Sequence, residues 1–544
     1  MTVNAAAHSP RRRSPAAGLT AAAACGAAAL LCMQLAGCAA TPAAPAQGLA
    51  QGPRATAAGL AGNDVRWLER VTYGLTTQTL ADYREHGRAA FLAGQLKAAQ
   101  EPSSSDVRLP TPIAAQIDSL EITHLDPVQT LGRVAAEYRR INALPDGDAK
   151  EQARKSLNEE GNRFAYQAQR RELLRAIYSP DQLREQLVAF WLNHFSVYEY
   201  KGNLRWLVGD YAEHAIRPHV LGHFRDLVLS TLTHPAMLQY LDNAQNAAGH
   251  VNENYARELM ELHTLGVNGG YTQQDVQNLA RILTGVGVYS GGERPKLRRE
   301  WQGLYRREGA FEFNPARHDF GDKILLGTHI AGRGYVEVEQ AVDLLVRSPA
   351  CARFISRQLA VYFVGDEPPP ALTERLAQRF QASDGDLAAV LQTLLTSAEF
   401  NASLGAKFKD PRQFVVSALR FAYDGRPIAN THPPLNWLNS MGDGQFGRPT
   451  PDGYPEAESG WASSGQMARR FEIARAIGSG SAGLFEPEDG GPPSLSGFPQ
   501  LSRRIYFDAL EPLLSANTRL ALDQANSQQE WNTFLLSAPE FSYR

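Results

Sequence analysis

Two carboxylates, Glu258 and Glu261, stand three residues apart in the segment NENYARELMELHTLGVNGGYT, with Asn252, Asn254 and Arg257 beside them. At that spacing both acids share one face of a helix. Such a pair can share a proton or a cation. The plainer reading of the same stripe is a solvated face with an internal Arg–Glu pair. His263 falls opposite, on an apolar face with Tyr255, Ala256, Leu259, Met260 and Leu262, and reads as a core histidine, whereas Thr264 falls with the acids. Met260 stands where a Glu-x-x-His di-metal helix would need its glutamate three residues before His263. Leu265, Val267 and Gly269 occupy positions where a calcium loop would need oxygen ligands.

Three other places offer acid–base groups. His194 shares a helix face with Leu183, Leu187, Phe190 and Trp191, so it is either a bonded core residue or a side chain pointing into a central cleft. Asp242 and Asn243 fall where a helix starting at Pro235 frays, a position for a turn as much as for a site. Arg317, His318 and Asp319 are consecutive on a loop and suit either acid–base chemistry or turn polarity. The catalytic candidates are therefore Glu258, Glu261, Asp242, His194 and His318. The binding candidates are Asn252, Asn254, Arg257, Asn243, Arg317 and Asp319.

The elements that must carry these groups read as helices. The central one should stop near Val267, because Asn268-Gly269-Gly270 does not continue it. Thr272 caps the next, with Asp275 as its capping-box partner. Ser179, Pro180 and Gln182 have the pattern of an N-cap, first helical position and box partner ahead of LREQLVAFWLNHFSVY. Alternation at the two ends of GAFEFNPARHDFGDKILLG predicts a small β-hairpin near residues 311–326. The Gly-, Pro- and Asp-rich stretch 441–461, punctuated by Phe446, Tyr454 and Trp461, predicts a loop that wraps a surface or lids a cleft. The expected fold is mainly α: a multi-helical body with one small β element and a loop-rich C-terminal region.

The first residues are an address. Arg11, Arg12 and Arg13 precede an uncharged run that ends in Leu35-Ala36-Gly37-Cys38. That tetrapeptide resembles the lipobox of bacterial lipoproteins. It implies a signal peptide over 1–37 and a membrane anchor through lipid on Cys38. Ala39 resembles the residue found in lipoproteins sent to the outer membrane, facing the periplasm. Residues 38–62 are too poor in large apolar side chains to build a core and read as a tether. The body, 63–544, is one unit or two packed subdomains, 63–290 and 291–544. Of four cysteines, Cys25 and Cys32 leave with the leader and Cys38 carries lipid, so Cys351 remains alone and no intramolecular disulfide is expected. The formal net charge is −3 and becomes more negative when the leader arginines are removed, which gives no electrostatic case for nucleic acid.

The stretches RAIYSPDQLREQLVAFWLNHFSVY, HPAMLQYLDNAQN, NENYARELMELHTLGVNGGYT, FNPARHDFGDKILLG, KFKDPRQFVVSALR and PDGYPEAESGW occur in this order. Together they resemble the bacterial domain of unknown function 1800 (DUF 1800) family, from about Val65 onward. The resemblance implies a largely helical, exported protein, often encoded beside an uncharacterised sulfatase-like family that is a candidate partner. It implies no activity, cofactor or catalytic residue. Two functions are then open. One is an envelope lipoprotein that binds or assembles with an exported partner. The other is a metal- or carboxylate-assisted hydrolase acting on an envelope polymer or carbohydrate.

Overall fold

A helix that is apolar on nearly all sides must lie inside a protein. The helix Gln182–His194 is of this kind: Leu183, Leu187, Val188, Phe190 and Trp191 are all buried. In the computed structural model, which describes residues 60–100, 108–488, 490–491 and 497–544, other helices are built around it. The expected leader, nearly all of the tether, and Cys38 lie outside the described residues. The 31-residue helix Asp148–Tyr178 buries mainly its C-terminal half, including Leu173, Leu174, Ala176 and Ile177. It packs against both Gln182–His194 and Pro411–Tyr423. Apolar side chains from Val65 to Phe541 join a single core, with a small satellite of Val134, Ile141, Leu157, Phe164 and Trp206. The described residues form one compact unit. Helix makes up 62% of the structure and strand 4%, so the fold is mainly α.

Charge is buried beside this core. Arg217 reaches Glu172 at 2.5 Å and Glu185 at 2.9 Å, and Arg175 reaches Glu172 at 3.2 Å and Glu213 at 2.6 Å. This network ties the long helix, the central helix and the segment 208–219 together. Each carboxylate in it has a guanidinium partner, which is the condition for keeping charge away from water.

The expected β element near 311–326 is present as parts of two antiparallel sheets. Phe311–Phe313 lies between Val286–Val288 and Arg306–Glu308. Lys323–Leu325 pairs with Thr328–Ile330 around the left-handed Leu326-Gly327 turn. The capping box of Thr272 and Asp275 forms as its spacing predicts.

Two local expectations are corrected. The central helix begins at Gln182 after Asp181, and no capping box forms at Ser179. The Gln182 side chain is used elsewhere, accepting from the Tyr73 amide at 3.0 Å and donating to the Ala176 carbonyl at 3.1 Å. The helix that begins at Asn254 passes into a π-helical turn over Leu259–Thr264. The wider turn carries an extra residue. It rotates Thr264 off the acidic face and into the core, where its hydroxyl bonds the Leu259 carbonyl at 2.6 Å.

Candidate functional site

The candidates named from sequence take separate places. His318 is buried, with Nδ1 2.8 Å from the Thr284 carbonyl and Nε2 2.9 Å from Glu337 Oε1. Glu337 also pairs with buried Lys323 at 2.5 Å. Asp319 pairs with Arg281 at 2.8 Å, and Arg317 donates to the Ala244 carbonyl at 3.0 Å. These three neighbours thus fasten their loop to the helix Gln273–Ile282 and the turn before Asn254. Asp242 adopts φ 62° and pairs with Lys201 at 2.8 Å. Asn243 is buried and donates to the Val286 carbonyl at 3.0 Å. Asn252 accepts from the Asn254 amide at 2.9 Å, and the Asn254 side chain donates to the Leu241 carbonyl at 3.2 Å.

In the acidic stripe, Arg257 reaches Glu261 at 3.4 Å, Glu253 at 3.2 Å and Gln273 at 2.9 Å. Glu258 is half-buried. Burial first, then the charges of Glu261 and Asp452, raise its carboxyl above the usual range. His194 is within 3.1 Å of the His263 carbonyl through Nε2, and burial pushes its pKa down to about 4. His263 is fully buried, and neither ring nitrogen has a hydrogen-bond partner.

None of the five catalytic candidates lines the cleft at the C-terminal end of the central helix, which other residues build. Its cavity volume is about 80 Å³, smaller than the usual range of drug-sized ligand sites. The C-terminal end of the central helix supplies Phe190 and Asn193, and the N-terminal end of Pro411–Tyr423 supplies Asp410, Arg412 and Gln413. Tyr362 comes from Pro349–Phe363. The loop 441–461 closes the other side with Asp443, Gln445, Phe446, Arg448, Tyr454, Glu456 and Trp461.

Local physics explains each placement. Asp410 is the N-cap of its helix and accepts from the Gln413 amide at 2.7 Å, with Pro411 in the first turn. Asp443 accepts from the next amide, that of Arg412, at 3.1 Å. Two carboxylates thus meet at one helix N-terminus. Asn193 holds the loop from below, accepting from the Tyr454 amide at 2.6 Å and donating to Glu456 Oε1 at 2.9 Å. Tyr454 bonds back to the Gly444 carbonyl at 2.8 Å, and the Trp461 indole donates to the Pro455 carbonyl at 2.7 Å. Phe446 sits at φ 59°, a left-handed backbone that a bulky residue rarely adopts. Such a conformation costs about 1–3 kcal/mol and persists only where its surroundings enforce it.

The electrostatics set these acids apart. Burial raises the Glu456 pKa to about 7; the charge of Asp410 adds to this, while Lys407 and the Asn193 bond oppose it. Asp443 is raised well above its ordinary range by burial, then by Asp410, against the pull of Arg412. The residues are nonetheless only partly buried, open to the cleft. Among the described residues no group of three or more His, Cys, Asp or Glu side chains is placed to hold a metal ion, and no helix is long and apolar enough to cross a membrane.

Two of the stretches that carry the family resemblance, KFKDPRQFVVSALR and PDGYPEAESGW, hold Asp410 and Glu456. Sequence reasoning missed them as site residues because Asp410 before a proline reads as a cap and Glu456 lies in a loop without periodicity. The usable signal was the polar, aromatic-rich loop itself.

A search of curated proteins finds no match to this chain, and neither does a search of solved structures. The family model described as protein of unknown function (DUF1800) matches residues 66–543, nearly the whole body, and the chain therefore belongs to the DUF1800 family.

Proposed function

We propose that the cleft is a hydrolytic site working by general acid–base catalysis with carboxyl groups. The observation that carries this is the meeting of Asp410, Asp443 and Glu456 in one aromatic-walled cleft, two of them raised by burial and by the charge of Asp410. A carboxyl that titrates near neutrality is suited to give up a proton there. Glu456 donates its proton to the leaving oxygen of the scissile bond. Water attacks the other side of that bond and passes a proton to the Asp410–Asp443 pair, which then holds one proton more. That proton returns to Glu456 through solvent, so one water is consumed and each fragment gains half of it.

This favours the carboxylate-assisted hydrolase over the binding or assembly role. An envelope polymer is the natural target if Cys38 is lipidated and tethers the body to the outer membrane on its periplasmic side. The sulfatase-like proteins encoded beside family members would then act on the same material. The test is hydrolysis of a panel of envelope polymers and soluble esters and glycosides by the wild type, Glu456→Gln and Asp443→Asn. The wild-type rate should fall on the alkaline side, through about 7, as Glu456 loses its proton. A Glu456→Gln protein as active as the wild type would overturn the assignment.

A further inference from the structure

We infer that the exposed stretch 290–308 is a docking surface for an acidic polysaccharide, a flexible chain that carries carboxylate or sulfate groups. The inference does not rest on the chemistry of the cleft. The stretch reads SGGERPKLRREWQGLYRRE and leads from the strand Val286–Val288 into the edge strand Arg306–Glu308. Its six cations, Arg294, Lys296, Arg298, Arg299, Arg306 and Arg307, stand against three acids, Glu293, Glu300 and Glu308. The stretch therefore carries +3 in a chain whose total is −3. All six cations are exposed. Among the described residues they form two ion pairs, Arg298 with Glu300 at 3.9 Å and Arg306 with Glu339 at 3.0 Å. Glu312, opposite Arg307 in the sheet, accepts instead from the Tyr305 hydroxyl at 3.1 Å. Surface arginines elsewhere find closer carboxylates, as Arg375 does with Glu399 at 2.8 Å and Arg469 with Glu472 at 2.7 Å. A local excess of unpaired positive charge attracts anions.

The arginines are also held in place. Arg294 lies over the Tyr305 ring at 4.7 Å, Arg298 over Trp301 at 4.7 Å, Arg307 over Tyr289 at 4.5 Å and Arg306 over Tyr335 at 4.5 Å. Trp301 stacks in turn on Phe320, with centroids 5.9 Å apart and planes at 11°. Arg294 donates to the Gln302 carbonyl at 3.0 Å, and the Tyr289 hydroxyl donates to the Gly292 carbonyl at 2.9 Å. Stacking uses the face of a guanidinium and leaves its N–H edge for a carboxylate or sulfate. Side chains fixed beforehand lose less entropy on binding.

The surface chemistry then selects among polyanions. The strongly exposed large apolar side chains among the described residues, such as Val267, Ile324 and Phe507, all lie outside this stretch. A loop that docks on a bilayer needs such side chains to enter it, and a protein partner needs them at the centre of the interface. Single-stranded nucleic acid needs open aromatic faces for its bases. Here guanidinium groups lie over Tyr289, Trp301 and Tyr305. A stiff duplex would also bring its phosphates against the acidic remainder of the chain. An acidic polysaccharide binds through its anionic groups and hydroxyls, and a flexible chain can meet the stretch alone.

The experiment titrates full-length protein by calorimetry with polygalacturonate, which carries carboxylates, and dextran sulfate, which carries sulfate esters. Neutral dextran, single-stranded and duplex DNA, polyglutamate and phosphatidylglycerol vesicles are the comparison probes. At least one acidic polysaccharide should bind more tightly than every comparison probe, and the stronger of the two identifies the anionic group. Its binding should weaken about tenfold or more between about 0.05 and about 0.5 M salt. Lys296→Glu/Arg299→Glu changes two exposed side chains that hold no ring, and should weaken binding about tenfold without moving the melting temperature. Arg139→Glu/Lys155→Glu makes the same change of charge at exposed positions elsewhere and should bind like the wild type. Equal loss in the two variants would trace binding to overall charge and overturn the inference. So would failure of both acidic polysaccharides, or tighter binding of DNA, polyglutamate or vesicles.

Discussion

Replacing Glu456 by Gln should stabilise this protein, and only at the alkaline end. The carboxyl rises from 4.5 to about 7 on folding, chiefly through burial. One pKa unit corresponds to about 1.4 kcal/mol between the two protonation states, so the full shift amounts to about 3 kcal/mol. The group keeps part of its surface toward the cleft, and water there screens it, which leaves about 1–2 kcal/mol. The folded value lies above the unfolded one, so the folded chain holds the proton more tightly. That contribution is complete below 4.5 and is lost as pH rises through about 7. Gln is neutral at every pH and keeps an oxygen for the Asn193 bond of 2.9 Å. The variant should therefore match the wild type at pH near 4 and exceed it by about 1–2 kcal/mol at pH near 8. Denaturant or thermal unfolding at the two pH values measures the difference. A variant that loses stability at both, or whose advantage does not grow with pH, would show that Glu456 is an ordinary structural acid.

His194 should show the opposite sign. Its pKa falls from 6.5 to about 4 through burial, so the stability it contributes is complete above 6.5 and is lost as pH falls toward 4. His194→Gln keeps a donor for the His263 carbonyl and should remove about 2–3 kcal/mol of that acid-side loss in denaturant titrations; parallel curves for variant and wild type would refute it. Arg217→Met removes the partner shared by Glu172 and Glu185. It should cost about 3–5 kcal/mol at neutral pH, measured by denaturation, and a cost below about 1 kcal/mol would mean that those acids find other partners.

Helix periodicity and capping were legible from side chains alone, because each is a short-range pattern. Thr272 with Asp275 formed as its spacing required. Gln182 did not, because its amide was drawn to Tyr73, more than a hundred residues earlier. The same limit governs the site. Glu258 and Glu261 attract attention because their spacing is visible within one turn. Asp410 and Glu456 become partners only when a helix N-terminus and a loop some forty residues on are folded against Asn193. The candidates whose side chains bond neighbouring segments, Arg317, His318, Asp319 and Asn243, are polar residues outside the long helices as well. Nothing local separates a latch from a site; the difference lies in whether the fold balances each buried acid with a countercharge or sets a like charge beside it.

That criterion can be applied to two glutamates in the same molecule. Glu172 is fully buried and Glu456 partly so, and burial alone would raise both carboxyls. At Glu172, Arg217, Arg175 and Arg171 converge, and the net effect is to hold the carboxyl below its usual range. At Glu456, the opposing groups are Lys407, Asn193 and the more distant Arg544, while Asp410 adds a like charge, and the carboxyl stays at about 7. The fold has arginines to spend on buried acids and does not place them here. It also keeps Phe446 at φ 59° and sets Asp443 against Asp410 in the same cleft. Each of these features lowers the stability of the folded chain, and all three face the same cleft. Concentrated destabilisation of this kind is the mark of groups held for a task other than folding.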